Sequence, residues 1–438
     1  MIDILANCRL DYRVKESRMC SVDVFRFFAS HKWKFDMELN FGTPLCMNYS
    51  ILLIFISQRR FMNKLVLFCL GMIVLCSCTN KSAYSVYNSF SGSCDSTLLH
   101  RDDSIIRIHI GGYLNPNPLA SQFYSDSLRN YYVMLDENSL YFLDLNTGQQ
   151  IKRDLSCCGR LNNYSGFLYW GDTLFVYAYK DKKAFMLNEH NEIIRRWIVK
   201  DKSLSEYTVD AEAITDFPML YISKKIFLSG TTLGSLEGED LQKHPVECSI
   251  DVEKNTIGYG MEYPEQYRFA NFGGVYLNNV YHSSAEGERI VYSFPADHSV
   301  VFCSSNFADR EMVYMGSRYA DVIESSGQNS LDLFKNKEKR IKYYVSQHSY
   351  GRILYDKYRG LYYRIAEHPL MNWNGGKFKK PFSIIVMNKK GELLCETSIV
   401  EDYASLNLHN MHVTKDGLLI QRRIEDENVI EFVKYVIK

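Results

Sequence analysis

Between Gly166 and Val199 the sequence reads as four short apolar or alternating runs, Gly166–Trp170, Thr173–Tyr179, Ala184–Leu187 and Ile193–Val199. They are parted by Gly171-Asp172, by Lys180–Lys183 and by Asn188–Glu192, which are turn-forming sequences. Each run is too short for an amphipathic helix, whose apolar stripe needs ten or more residues to repeat at a period of 3.6. Strands joined by tight antiparallel turns remain, and a series of four such strands is one blade of a β-propeller.

The same plan recurs along the chain. Tyr131–Leu135, Leu140–Leu145 and Ile151–Leu155 form one set, broken at Asp136–Asn138 and Asn146–Gly148. Ile226–Ser229, Val246–Asp251 and Thr256–Met261 form another, and Arg289–Ser293, Val300–Ser304 and Met312–Met315 a further one. Then come Arg352–Asp356, Leu361–Ala366, Ser383–Met387 and Leu393–Ile399. The last set, Asn410–Thr414, Leu418–Arg422 and Val429–Ile437, is one strand short, and Ser104–Ile110 at the other end of the domain supplies it, closing the ring. The expected fold is all-β: a six-bladed propeller of four-stranded antiparallel blades over residues 104–438. At about fifty-six residues per blade it exceeds the compact repeat of roughly forty to fifty, and the surplus falls in insertions around Leu233–Lys243, Tyr319–Lys342 and His368–Pro381. Composition agrees, with 32 Tyr and 25 Phe against 9 Pro favouring strands. A membrane barrel would need strands of about ten residues with aromatic girdles, and a single sandwich would use about half this length.

Ahead of the repeats stand Met62-Asn63-Lys64, the apolar run Leu65–Cys76 and the tetrad Leu75-Cys76-Ser77-Cys78. Arg59, Arg60 and Lys64 give the positive flank, and the apolar run suits a secretory signal better than the roughly twenty residues of a membrane span. The order is that of a lipoprotein signal peptide over 62–77, with Cys78 lipidated, by palmitate among other chains, and residues 78–103 serving as a tether. Residues 1–61 lack sustained periodicity and are expected to be an upstream extension, disordered and outside the fold, with Met62 as the working start. Thr79 after the cysteine, where Asp would signal retention at the inner membrane, places the product at the outer membrane. The absence of an acidic run favours its periplasmic face over the cell surface.

A lipobox, a short polar tether and a six-bladed β-meander together resemble the propeller lipoproteins of Bacteroidetes-type bacteria, which include domain-of-unknown-function families with a TolB-like propeller. The resemblance covers residues 62–438 and implies an envelope protein; it brings no catalytic residue with it.

Chemistry is sparse. A formal charge of zero gives no footprint for nucleic acid or for an anionic membrane surface. No metal-binding, phosphate-loop or nucleophile-elbow motif occurs, so no catalytic, cofactor or metal residue is assigned. His409 and His412 are three apart, which on a strand sends them to opposite faces. Cys248, Cys303 and Cys395 sit in apolar strand runs and are expected to be buried thiols, whereas the neighbours Cys157 and Cys158 mark a redox or ligand-gripping loop if they bond to each other. Asp210, Glu212, Asp216 and Glu286 are carboxylates that a central channel would gather, although solvated loop charges are the default for such residues. The basic stretch Lys335–Lys342 reads as an exposed insertion, and Tyr343-Tyr344 and Tyr362-Tyr363 as candidate stacking surface.

The expected function is a lipid-anchored binding module that takes an envelope protein or glycan at one mouth of its ring; the alternative is an envelope glycan hydrolase or lyase with its site in the channel. Converging acidic, His and Arg side chains with shifted pKa values would favour the enzyme, and an apolar or flat aromatic mouth the binder.

Overall fold

The computed structural model describes residues 84–89, 97–200, 208–231, 236, 238–274, 276–328 and 330–438. The signal segment, Cys78 and Cys94 lie outside the described residues. Six four-stranded antiparallel blades follow one another in chain order. Blade 1 comprises Ala120–Ser125, Asn130–Asp136, Ser139–Asp144 and Gln150–Asp154, and blade 2 comprises Gly166–Trp170, Thr173–Ala178, Lys183–Leu187 and Ile193–Ile198. In blade 3 the inner strand is split into Asp210–Ala211 and Leu220–Ile222, both paired with Lys225–Thr231, and Glu247–Asp251 and Thr256–Gly260 complete it. Blade 4 holds Tyr281–Ala285, Arg289–Ser293, Ser299–Ser304 and Arg310–Tyr314, and blade 5 holds Ser349–Asp356, Leu361–Glu367, Phe382–Asn388 and Leu393–Glu396.

Blade 6 closes the ring as the sequence predicts. Leu406–Thr414, Gly417–Arg422 and Val429–Ile437 are joined on the outside by the N-terminal strand, which extends over Leu99–His109 and pairs Leu99 with Ile437 and His109 with Val429. The strand is eleven residues long and nine of them pair, with a register shift between Asp102 and Ile105. A longer ladder gives the closure more backbone hydrogen bonds, in the one blade whose strands come from both ends of the domain.

The apolar core is a ring of clusters at the seams between blades, where the faces of neighbouring sheets meet. Blades 1 and 2 share Val133, Phe142, Phe167 and Val176; blades 2 and 3 share Phe175, Trp197, Ile226 and Ile250. Tyr292, Tyr350 and Tyr362 pack in the larger cluster across blades 3 to 5, Tyr363 joins blade 5 to 6, and Tyr132 packs with Phe432 across the closing seam. Tyr362 and Tyr363 are therefore core residues and offer no stacking surface; alternate residues of a strand sandwiched between two blades are buried on both faces.

The two faces of the ring differ. Turns from first to second and third to fourth strands emerge on one face, here the lower, and are short; Gly171-Asp172, Ser223-Lys224 and Lys415-Asp416 are among the tightest. Connections from second to third strands and between blades emerge on the other, upper face. All the long insertions lie there: those ahead of Glu247, Tyr281 and Ser349, and the one between Glu367 and Phe382. The basic stretch folds as part of helix α1, Ser330–Lys335, and helix α2, Lys337–Ser346, capped by the Asn336 side chain accepting from the Lys339 amide at 3.0 Å. Tyr344 of α2 stacks on Tyr276, with centroids 4.6 Å apart. Ser85–Tyr87 pairs with Val322–Glu324 on this same elaborated side.

Candidate functional site

The inner strand of blade 3 leaves its ladder after Ala211 and rejoins it at Leu220, while its partner advances only from Gly230 to Phe227. The excursion turns at Ile214–Phe217, where the Phe217 amide donates to the Ile214 carbonyl at 2.9 Å, and Pro218 follows, which has no amide to continue the ladder. Beyond Glu212, whose amide still donates to the Ser229 carbonyl at 3.0 Å, the excursion reaches every other blade. Thr215 donates from its amide to the Leu119 carbonyl and its hydroxyl accepts from the Ser121 amide, both at 2.8 Å, on blade 1. The Ala213 amide reaches the Tyr164 carbonyl, 3.2 Å away, at the entry to blade 2. Phe217 stacks on Tyr281 of blade 4, and the Pro218 carbonyl is 2.7 Å from His282 Nε2. Asp216 faces Arg352 of blade 5 at 3.8 Å and is hydrogen-bonded to Nδ1 of His409 of blade 6.

Two bulges aim those partners inward. Between Tyr350 and Ile353 the ladder slips, turning Arg352 into the channel; between Asn407 and Met411 it slips further, and His409 and Asn410 project there. Asn410 is held by Tyr132 and Gln421, each at 3.0 Å, and His412, kept neutral by burial, lies 2.5 Å from Asn410 Oδ1. His409 is different: two thirds of its side chain (67 %) stays open to solvent while Asp216 behind it is 8 % exposed. The Asp216 charge and hydrogen bond raise the imidazole above its ordinary 6.5. Burial pushes the Asp216 carboxyl up, but His409 and Arg352 outweigh it and hold the group below 3.8. With Nδ1 tied to Asp216, Nε2 is the nitrogen presented to the mouth.

Arg352 and Arg364, both on blade 5, show what the site withholds. Arg364 is fully buried and its guanidinium donates to Ser293 Oγ and to the Phe294, Asp297 and Met315 carbonyls, fastening blade 5 to blade 4. Arg352 is nearly as buried, yet its Nη1 has no hydrogen-bond partner, and Asp216 supplies its opposite charge.

Of the carboxylates expected to be solvated, three enter the channel wall. Asp210 is paired with Lys182 at 2.5 Å and accepts from Tyr179 at 3.3 Å, and Asp216 forms the pairs above. Glu212 follows between them, and burial together with the charges of Asp210 and Asp216 pushes it up to about 7. Glu286 does not join them; it lies in a lower turn, 3.1 Å from Lys389. Sequence spacing hid the convergence because the excursion, not strand periodicity, decides where these side chains go. The signal that could have found it was Pro218 closing an acidic stretch just ahead of the set that begins at Ile226, where one strand was missing. A carboxyl raised in this way loses native stability as pH climbs from its unfolded 4.5 through 7, since the folded state holds the proton longer. Glu212→Gln is therefore expected to raise the melting temperature at pH 8, by the equivalent of about 2 kcal/mol, and to leave it unchanged at pH 4. Calorimetry at the two pH values checks this.

Cys157 and Cys158 lie on a single 3-10 turn, Ser156–Cys158, their sulfurs 3.9 Å apart and both thiols free; Cys158 is buried. The turn borders an upper-face cleft of 790 Å³ between blades 1 and 2, lined by Asn115, Asp136, Asn138, Arg160 and Asn162 among others. Cys248, Cys303 and Cys395 are buried, in line with their strand positions. Among the described residues no group of three or more His, Cys, Asp and Glu has a metal-holding arrangement.

No curated protein matches the sequence. Among solved structures, a DUF4221 family member from Bacteroides vulgatus superposes with a TM-score of 0.64 at 18% identity, over 78% of this chain and 99% of that one. An exported-protein candidate from Bacteroides fragilis gives 0.48 at 11% identity over 80% and 98%, and virginiamycin B lyase from Staphylococcus aureus 0.39 at 9% over 76% and 99%. The first of these likenesses speaks to the propeller fold. A family profile, the domain of unknown function DUF4221, matches residues 159–398, which run from the entry of blade 2 to the end of blade 5 and include the whole excursion. With more than half of the sequence matched, the chain belongs to the DUF4221 family.

Proposed function

We propose that this chain is a lipid-anchored cell-envelope propeller, held through Cys78 at the periplasmic face of the outer membrane, whose upper mouth binds a protein or small ligand from the envelope. One observation carries the reading: every long connection lies on the upper face, so that loops from several blades surround the end of the channel that residues 212–219 cross. In-cell crosslinking of the native protein tests it. Reproducible recovery of an envelope partner crosslinked at upper-face residues is the expected result, and crosslinks confined to the lower turns would overturn it.

A second reading, an envelope glycan hydrolase or lyase, is favoured by His409. Its open imidazole is backed by a buried carboxylate, and Glu212, pushed up to about 7, stands on the same excursion, so two groups exchange protons near neutrality. In this reading His409 Nε2 takes or returns a proton at the substrate, Asp216 steadies the imidazolium, and Arg352 balances Asp216. Turnover of an isolated envelope glycan that drops a hundredfold or more in His409→Gln, with binding retained, would replace the binding reading by this one. Turnover unchanged in the variant would remove His409 from any catalytic role.

A further inference from the structure

The upper face carries a second feature, away from the mouth at the rim of blades 4 and 5. Tyr84, at the first described position, lies 6.3 Å from Phe269, and its amide donates to Ser325 Oγ at 2.9 Å. Asn271, two residues on from Phe269, donates to the Gln328 carbonyl at 2.7 Å, which joins this loop to the turn ahead of α1. On α1, Leu331 and Phe334 are three apart and both exposed, as side chains on one helix face are spaced. Leu370, hydrogen-bonded to the Val345 carbonyl of α2 at 2.8 Å, brings up Met371, which is 87% exposed. The same two helices expose Lys335, Lys337, Lys339 and Lys342, which outnumber the exposed Asp332 and Glu338 among them, and Arg268 stands against the ring of Phe269.

We propose that this rim lies against the lipid bilayer, so that the propeller sits with its upper face toward the membrane that anchors it. The inference rests on the lipidation of Cys78. Apolar and aromatic tips set among lysines are what a surface needs to sink into the headgroup region and meet anionic lipid. The chain supplies the second reason. Ser85–Tyr87 is stitched to Val322–Glu324 within this rim, and the stretch from a lipid on Cys78 to Tyr84 spans only about 20 Å when fully extended. A lipid so tethered cannot reach round to a membrane at the lower face. The ligand of the mouth would then be one found close to the membrane surface.

Hydroxyl-radical footprinting of the full lipidated chain on vesicles of phosphatidylethanolamine and phosphatidylglycerol, 3:1, tests the orientation. Met312, 63% exposed on the outer strand of blade 4, serves as an internal reference. Free of the membrane, Met371 should oxidise at least as fast as Met312; on vesicles it should oxidise at least about threefold more slowly, with Phe269 and Phe334 protected alongside. A chain that floats with the vesicles while Met371 and Met312 react alike overturns the orientation and leaves the anchor intact. A chain that does not float removes the anchor, and the orientation with it. Protection that persists in detergent without vesicles means that protein covers the rim, and also overturns the proposal.

Discussion

Gly166→Ala is expected to destabilise the domain by about 3–5 kcal/mol, a large part of the 5–15 kcal/mol that holds a typical fold. A Cβ at this position would lie 1.5 Å from the Ala213 carbonyl oxygen and 2.5 Å from its carbon. Both are backbone atoms, so no rotamer change relieves the clash, and either blade 2 or the excursion must move. Moving the excursion breaks the Ala213 amide bond to Tyr164 and drags Asp216 from its partners. Gly171→Ala is the control: a lower turn with φ of +61° and nothing within 4 Å, where only the left-handed backbone is strained, at about 1 kcal/mol. Urea unfolding of the two variants should separate them clearly, and equal midpoints would mean that the excursion is not packed against blade 2.

Asp216→Asn is the second large effect. It removes the charge that compensates Arg352 in a buried site and leaves that cation unpaired, at a cost of about 3 kcal/mol. Because the cost comes from the orphaned cation, Arg352→Met in the Asp216→Asn background should restore most of it, a non-additivity that a double-mutant cycle reads directly. The pH dependence has a definite sign. Asp216, held below 3.8, loses its contribution as pH falls through its folded value; His409, held above 6.5, loses its contribution as pH rises through its own. The stability difference between wild type and Asp216→Asn is therefore expected to be largest between about pH 4 and pH 6.5 and to shrink on either side.

Much of this fold was legible in the sequence because a propeller is a local structure. Each hairpin's turn residues and alternating runs announce themselves within about ten residues, as in Thr173–Tyr179 and Asn388–Gly391, and the missing strand of the last blade identified the closing one. The site was legible only in part, for the opposite reason. Asp210, Glu212 and Asp216 were recognisable as candidates, but what assembles them with Arg352 and His409 is a broken strand and two bulges, which obey no period. Asp216 and His409 are nearly two hundred positions apart, and no residue near either specifies the other. The tyrosine pairs show the same limit. Adjacent strand residues such as Tyr362-Tyr363 point to opposite faces, and in a blade both faces are interior.

The central claim is that residues 212–219 close the channel and hold His409 as a charged, open group at its upper end. Nuclear magnetic resonance titration of the His409 imidazole, in wild type and in Asp216→Asn, measures that pairing at the atom concerned. A pKa above 6.5 in wild type that falls below it in the variant, where Arg352 then stands beside His409 uncompensated, is the predicted result. A wild-type value at or below 6.5 that does not move with the substitution would mean that Asp216 and His409 do not meet, and the floor of the mouth would have to be drawn differently.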